Sequence, residues 1–267
     1  MQPSHRPAEL ADELAAALDN GELSVVYQPL VAVDDTETVA FEALLRWHSP
    51  RFGEIPPSEF VPVAERTELI VPIGRWVLEE ACRQLMIWRE EFPFRDLSVS
   101  VNMAAVQLLH PEFELLIREV LVLTGVDPRA LQVELTQAVF DASPLVAERV
   151  AFLRSLGVAV ALDDLDPDAT GPERLGDYGV DVIKIDRHFI ERLAGNRAGG
   201  DRLTSLVDRA HELAMSVTAV GVEDAAQLDE LLEGRVERAQ GFFFARPLEA
   251  AAVVPFLASE ASLPASL

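Results

Sequence analysis

Cysteine is almost missing from this chain: Cys82 is the only one in 267 residues, so no disulfide can form within it. It lies in an apolar helical stretch, where a buried structural thiol is the expected reading. Long apolar runs are missing too. No window approaches the roughly 18 uninterrupted apolar residues of a membrane span, so none is expected. Basic residues are scarce, with 22 Lys and Arg against 45 Asp and Glu and a formal net charge of −23. Nucleic-acid polymers need a basic surface to displace counterions, so general binding to DNA or RNA is not expected. An acidic protein still accepts a phosphate-bearing ligand where a metal ion screens its carboxylates. The opening "MQPSHRPAELADELAAALDNG" lacks a basic-then-apolar leader and reads as a polar, acidic helix, which leaves the cytoplasm as the expected compartment. No tract is of low complexity, and no period of roughly 20–50 residues repeats.

What is present is one large core and an alternation of element types. At 49% hydrophobic, the chain has enough apolar residues for a single barrel-sized domain. The expected division is an N-terminal helix or tail over 1–20, a barrel domain over 21–258 and a tail over 259–267. Strand-like runs occupy 23–33, 39–47, 97–103 and 131–136, then 158–164, 181–186, 216–222 and 236–244. Helical stretches separate most of them. Val77, Ala81, Leu85, Trp88 and Phe92 share one helix face. Ser143, Pro144 and Gly157 read as the cap, first turn and αL end of another helix. A third is expected to start at Asp201, after a glycine pair, with Leu203, Leu206, Val207, Ala210 and Leu213 turned inward. Only the first two strands are joined by a short turn, around Asp34 and Asp35, which predicts a hairpin. The pattern fits a TIM-like (β/α)8 barrel whose first strand is antiparallel, with a doubly wound open sheet as the competing architecture.

A barrel carries its functional residues at the C-terminal ends of its strands. Polar residues fall there in one strand after another: Glu42 within the second, then Asn102, Glu134, Asp163 with Asp164, Lys184 and Gln240. A single such acid reads as a helix cap or turn former. Six of the eight strands offering a carboxylate, carboxamide or ammonium read as a site. Oxygen donors without His or Cys suit Mg²⁺, Mn²⁺ or Ca²⁺ rather than zinc. Such ions activate water and stabilise a phosphodiester's developing charge, and a lysine can steady a water or phosphate oxygen. Lys184 has a second reading as an ion-pair partner of the acids around it.

The ordered series "YQP" (27–29), "EALLRW" (42–47), "WVLEEAC" (76–82), "VNM" (101–103), "VELT" (133–136), "LDD" (162–164), "VIKID" (182–186), "GVE" (221–223) and "QGFFFARPL" (240–248) resembles the EAL domain, a bacterial phosphodiesterase fold acting on cyclic di-GMP. The likeness covers roughly residues 20–250. It implies a barrel with the dinucleotide across its C-terminal mouth and a role in bacterial signalling. It further implies that Glu42, Asn102, Glu134 and Asp163 hold one metal ion and that Asp163 and Asp164 share a second. Lys184 matches the lysine beside the catalytic water, and Gln28, Leu44, Arg46, Glu223 and Gln240 match positions lining the nucleotide site. Arg46 suits a phosphate because guanidinium donates two parallel hydrogen bonds; a rim salt bridge is its structural alternative.

Three departures bear on turnover. Active members typically read "AEGVE", and its first glutamate is considered the general base; this chain reads "AVGVE", with Val220 there. Valine accepts no proton, and general-base catalysis contributes roughly 10²–10⁴-fold. The family's "DDFGTGYSSL" has become "DDLDPDATGP", putting Asp166 and Asp168 where two glycines give freedom, with Pro167 fixing φ between them, and adding charge where a phosphate would approach. The family's "ExTE" ends here in Gln137, so the acid that anchors that loop has lost its charge. Three readings follow. The preferred one is a degenerate, catalytically inactive domain that binds cyclic di-GMP and reports it to a protein partner. The others are a working Mg²⁺- or Mn²⁺-dependent phosphodiesterase making linear pGpG, and a protein-interaction barrel independent of nucleotide. Ca²⁺ would support binding without turnover, and a homodimer is compatible with each reading.

Overall fold

The computed structural model describes residues 6–193 and 195–260. Ten strands are present among them: β1 (Leu23–Ala32), β2 (Thr38–Ser49), β3 (Gly53–Ile55), β4 (Ser98–Asn102), β5 (Leu131–Thr136), β6 (Ala159–Leu165), β7 (Val182–Ile185), β8 (Ser216–Val220), β9 (Arg238–Gln240) and β10 (Leu248–Glu249). The order β1-β9-β8-β7-β6-β5-β4-β2 closes on itself because β1 also pairs with β2, which makes an eight-stranded barrel and removes the open-sheet alternative. β1 runs antiparallel to both of its barrel neighbours, while β2 and β4 to β9 run parallel to one another. The hairpin expected at Asp34–Asp35 is that antiparallel β1–β2 pair. The short strands β3 and β10 extend the edges of β2 and β1.

The helices are α1 (Arg6–Ala17), α2 (Pro57–Arg66), α3 (Ile70–Glu91), α4 (Ala105–Leu108), α5 (Phe113–Thr124), α6 (Gln137–Ala142), α7 (Leu145–Leu156), α8 (Arg187–Glu191), α9 (Arg197–Glu212), α10 (Ala225–Glu233) and α11 (Ala250–Glu260). None of these is long and apolar enough to cross a membrane. Side chains alternate across each strand, so Val133, Leu135, Val160, Leu162, Ile183, Ile185 and Val217 turn outward and are buried beneath the helices. On α3 the expected face is buried at Val77, Ala81, Leu85 and Trp88, while Phe92 is half-buried at the helix end. Cys82 is fully buried on the same helix, and burial pushes its thiol up to about 12, as expected of a structural cysteine. α1 packs through Leu10, Leu14 and Ala17, and Glu13 accepts a hydrogen bond from Ser49.

Local end signals hold at α7 and fail at α9. Ser143 Oγ accepts the Leu145 amide, and Gly157 takes the left-handed conformation with φ 92°. α9 begins four residues before Asp201: Asn196 caps it by accepting the Gly199 amide, so the glycine pair lies inside the first turn and Asp201 within the helix. The physical reason is that an Asn cap satisfies a free amide and offsets the poor helix propensity of two glycines. Leu203, Leu206, Val207 and Ala210 are buried as expected, and Leu213 is half-buried at the cap. Of the expected tail over 259–267, residues 261–267 lie outside the described residues, as do residues 1–5 of the expected N-terminal segment.

Candidate functional site

Strand register gathers the polar residues. Gln28 of β1 pairs with Glu42 of β2, Asn102 with Glu134, and Val220 with Gln240. Glu42, Glu134, Lys184 and Gln240 are all buried, in a barrel interior that alternation would otherwise fill with apolar side chains. Lys184 Nζ donates to Glu42 Oε2 at 3.0 Å and to Glu134 Oε2 at 2.5 Å, and stands 3.5 Å from Asp163 Oδ1. Asn102 donates to Glu42 Oε1 at 2.7 Å. Gln240 Nε2 donates to Gln28 Oε1 and Glu42 Oε2, each at 3.0 Å. One connected network therefore joins β1, β2, β4, β5, β7 and β9, with Asp163 of β6 at its edge.

One ammonium serves three carboxylates, and the electrostatics show the surplus. Burial penalises the Glu42 carboxylate, but attraction to Lys184 and hydrogen bonds from Asn102, Gln240 and Lys184 win, holding it below the ordinary carboxylate range. Burial and then repulsion from Glu42 win at Glu134, which is pushed up to about 8. Burial opposes the charge of Lys184, yet Glu134, Glu42 and Asp163 together hold it well above its ordinary value. Burial, then Asp163 and Asp186, raise Asp164. Among the described residues, no three His, Cys, Asp or Glu side chains form a group arranged to hold a metal ion. Lys184 stands among the acids instead, as in the ion-pair reading of it. The donor chemistry still fits a hard cation: all the acids offer oxygen, Asn102 adds a carbonyl, and the carboxylates outnumber the ammonium.

Beside the network lies a cavity of about 620 Å³, lined by residues that include Leu44, Arg46, Asn102 and Glu134. That volume falls in the usual range for small-ligand sites. Arg46 is half-buried; one of its amino groups donates to the Leu45 carbonyl at 2.9 Å, and among the described residues it makes no ion pair. Partial burial lowers its pKa, against the opposing pull of Glu42, Glu249 and Glu54. Glu223 is exposed and three residues beyond Val220; its amide donates to Gln227 Oε1, so the backbone is fixed while the carboxylate faces solvent. Val220 is half-buried at the end of β8.

The altered loop is ordered by its own acids. Asp166 Oδ1 accepts the Asp168 amide at 2.9 Å, and its carbonyl accepts the amides of Ala169 and Thr170. Asp168 pairs with Arg192 and Arg202, so its own charge, half of what the two loop acids add, is paired locally. Thr170, fully buried, donates to Gln137 Oε1 at 3.3 Å, which gives this loop a neutral anchor. Four polar residues were not singled out from the sequence. Asp186, inside the quoted "VIKID", caps α8 through the His188 amide and contributes to raising Asp164. Ser100, Gln132 and Thr218 are also buried and polar, and Gln132 donates to Glu134 Oε1 at 3.1 Å.

Comparison with known proteins places this geometry in a family. The EAL domain profile matches residues 11–247. The chain is 34% identical to the oxygen sensor protein DosP of Escherichia coli, over 94% of its own length and 31% of that protein. It is 34% identical to the bifunctional diguanylate cyclase/cyclic di-GMP phosphodiesterase MucR of Pseudomonas aeruginosa, over 91% and 35%. It spans less than a third of the first two of these curated relatives, DosP and a Caulobacter vibrioides signaling protein. Among solved structures, the MucR phosphodiesterase in complex with c-di-GMP superposes with a TM-score of 0.84 at 32% identity, covering 92% of this chain and 99% of that one.

Proposed function

The chain belongs to the EAL domain family of cyclic di-GMP phosphodiesterases, and from that premise we propose that it is a cyclic di-GMP receptor with little or no turnover, reporting occupancy to a protein partner. The observation that carries this reading is Arg46: a half-buried guanidinium without a carboxylate partner, lining the cavity beside Leu44. A desolvated, unpaired guanidinium favours an anion, and a phosphodiester matches its donor fork. Gln28 and Gln240 belong to the same network, and Glu223 is exposed three residues beyond Val220. Glu42, Asn102, Glu134, Asp163 and Asp164 would hold Mg²⁺, Mn²⁺ or Ca²⁺, which when bound neutralises the acids and the phosphodiester charge. Lys184, whose ammonium is held by Glu42, Glu134 and Asp163, would turn to a water or phosphate oxygen once a cation draws those acids away, and Val220 offers no acceptor for the proton that attack by water releases.

Calorimetric titration with cyclic di-GMP in Ca²⁺ tests the reading. Saturable heat is expected, with affinity lowered about 10–100-fold in Arg46→Ala, the loss of a charge-assisted contact. No heat and no shift in melting temperature would leave a protein-interaction barrel. The intact carboxylate–lysine network favours a second reading, an active phosphodiesterase releasing linear pGpG. On the receptor reading, Val220→Glu alone leaves pGpG formation in Mn²⁺ within about ten-fold of the wild type, although a well-placed base brings roughly 10²–10⁴-fold. Robust turnover in that variant would show that the altered loop is not limiting; pGpG from the wild type, lost in Glu42→Ala, would establish the enzyme.

A further inference from the structure

The Asp163–Asp164 pair sits on a distorted strand end. Asp164 has φ 55°, a left-handed backbone unusual for a residue with a side chain, and the β6–β7 register shifts between Leu162 and Leu165. Such a conformation is strained and persists only where the surroundings over-determine it. On one side, the Asp186 amide donates to the Leu165 carbonyl at 2.9 Å and re-establishes pairing with β7. On the other side the chain turns at Asp166 and reaches Asp168. There a single carboxylate meets two guanidiniums: Arg192 Nη2 donates to Oδ2 at 3.1 Å, and Arg202 Nε stands 2.9 Å from Oδ1. Arg192 follows α8 and Arg202 lies on α9, so one side chain ties the loop to two other segments.

We propose that Asp168 is a positioning residue: its clasp with Arg192 and Arg202 fixes the segment 165–170 against the α8–α9 corner and thereby pre-sets Asp163 and Asp164 to receive a divalent cation. This rests on the reading of the acids as a cation seat. Flexible loops order themselves when the ligand arrives and weaken its binding by that ordering. Here the turn at Asp166, the Thr170–Gln137 hydrogen bond and the Asp168 clasp fix the loop beforehand. Asp168, Arg192 and Arg202 are each substantially exposed, so the clasp weakens with salt, which a buried packing contact does not do.

The test is amide hydrogen exchange over 163–170 on the metal-free full chain, followed by Mn²⁺ titration, for the wild type, Asp168→Ala, Asp168→Glu and Arg202→Gln. Loss of exposed charge pairs worth up to about 1 kcal/mol predicts roughly five-fold faster exchange and roughly five-fold weaker Mn²⁺ binding in Asp168→Ala. Arg202→Gln shows the same direction at smaller size, Asp168→Glu recovers part of both, and melting temperatures stay within about 3 °C of the wild type. Raising NaCl from about 0.05 M to about 0.5 M speeds exchange in the wild type and leaves Asp168→Ala nearly unchanged. Exchange and Mn²⁺ affinity unchanged in Asp168→Ala and Arg202→Gln overturn the proposal while leaving the cation seat in place. A wild type that takes neither Mn²⁺ nor Ca²⁺ removes the seat itself.

Discussion

Lys184→Met lowers the melting temperature of the metal-free protein by roughly 10 °C at pH 8. The side chain is 1% exposed, and its ammonium is the shared partner of Glu42, Glu134 and Asp163. Methionine fills similar volume without charge, so the effect isolates electrostatics from packing. Removing one partner of a buried ion pair costs about 3–5 kcal/mol, and a domain of this size shifts by roughly 2–4 °C per kcal/mol. The acids relieve part of the strain by taking up protons, which gives the variant a distinctive pH dependence. Without Lys184, the Glu42 carboxyl loses the attraction that outweighs burial and joins Glu134 above the ordinary range. An acid raised in the folded state contributes stability that is fully present below its unfolded pKa, about 4.3, and is lost as pH rises through its folded pKa. In the wild type this applies to Glu134 alone of the two, whose window runs up to about 8. The deficit of Lys184→Met is therefore smallest near pH 5 and grows towards pH 8. Adding Glu134→Gln to Lys184→Met removes one surplus charge and restores part of the stability. A variant that melts within about 2 °C of the wild type at pH 8 would mean that water already screens these acids.

The barrel was legible because its strands combine two signals at fixed spacing. Outward positions such as Val133 and Leu135 supply the apolar run, and inward positions such as Glu134 interrupt it near the mouth. The same alternation revealed most of the buried polar network, since a charged side chain inside an otherwise apolar strand has little structural reason to be there. Arg46 was legible by type, but its lack of an acid partner depends on how the rim folds. Asp168 was read from its charge as a disturbance at the phosphate site; its partners Arg192 and Arg202 come from segments with no periodic relation to it. The start of α9 was misplaced because a glycine pair looks like a boundary, whereas Asn196 sets the boundary before it. β3 and β10, of three and two residues, carry no periodicity from which to read a strand.

Gly241→Ala is expected to damage both fold and site, lowering the melting temperature by roughly 10 °C and abolishing the Gln240-dependent arrangement at the mouth. Gly241 does not need its freedom of φ; it needs to lack a side chain. A Cβ there would stand 2.0 Å from the Val222 carbonyl oxygen and 2.3 Å from the Val222 nitrogen, both backbone atoms that cannot rotate away. The contact is tight because the Gln240 carbonyl accepts the amides of both Gly221 and Val222, and Val222 in turn accepts the amide of Phe243. Relieving the clash separates those segments, at about 1–3 kcal/mol for overpacking and about 0.5–1.5 kcal/mol for each hydrogen bond lost. Gln240 moves with them, and with it the two hydrogen bonds that join Gln28 and Glu42. On the receptor reading, nucleotide binding should therefore fall more steeply than stability alone explains, which titration in Ca²⁺ below the variant's melting temperature would reveal. Gly200→Ala is the matched control. That glycine lies within α9, its Cβ would meet Glu230 at an ordinary 3.5 Å, and better helix propensity should stabilise the protein by up to about 1 kcal/mol. Equal tolerance of the two substitutions would mean that the β8 and β9 ends yield freely, and that Gln240 is held by its side-chain hydrogen bonds rather than by the close backbone contact at Gly241.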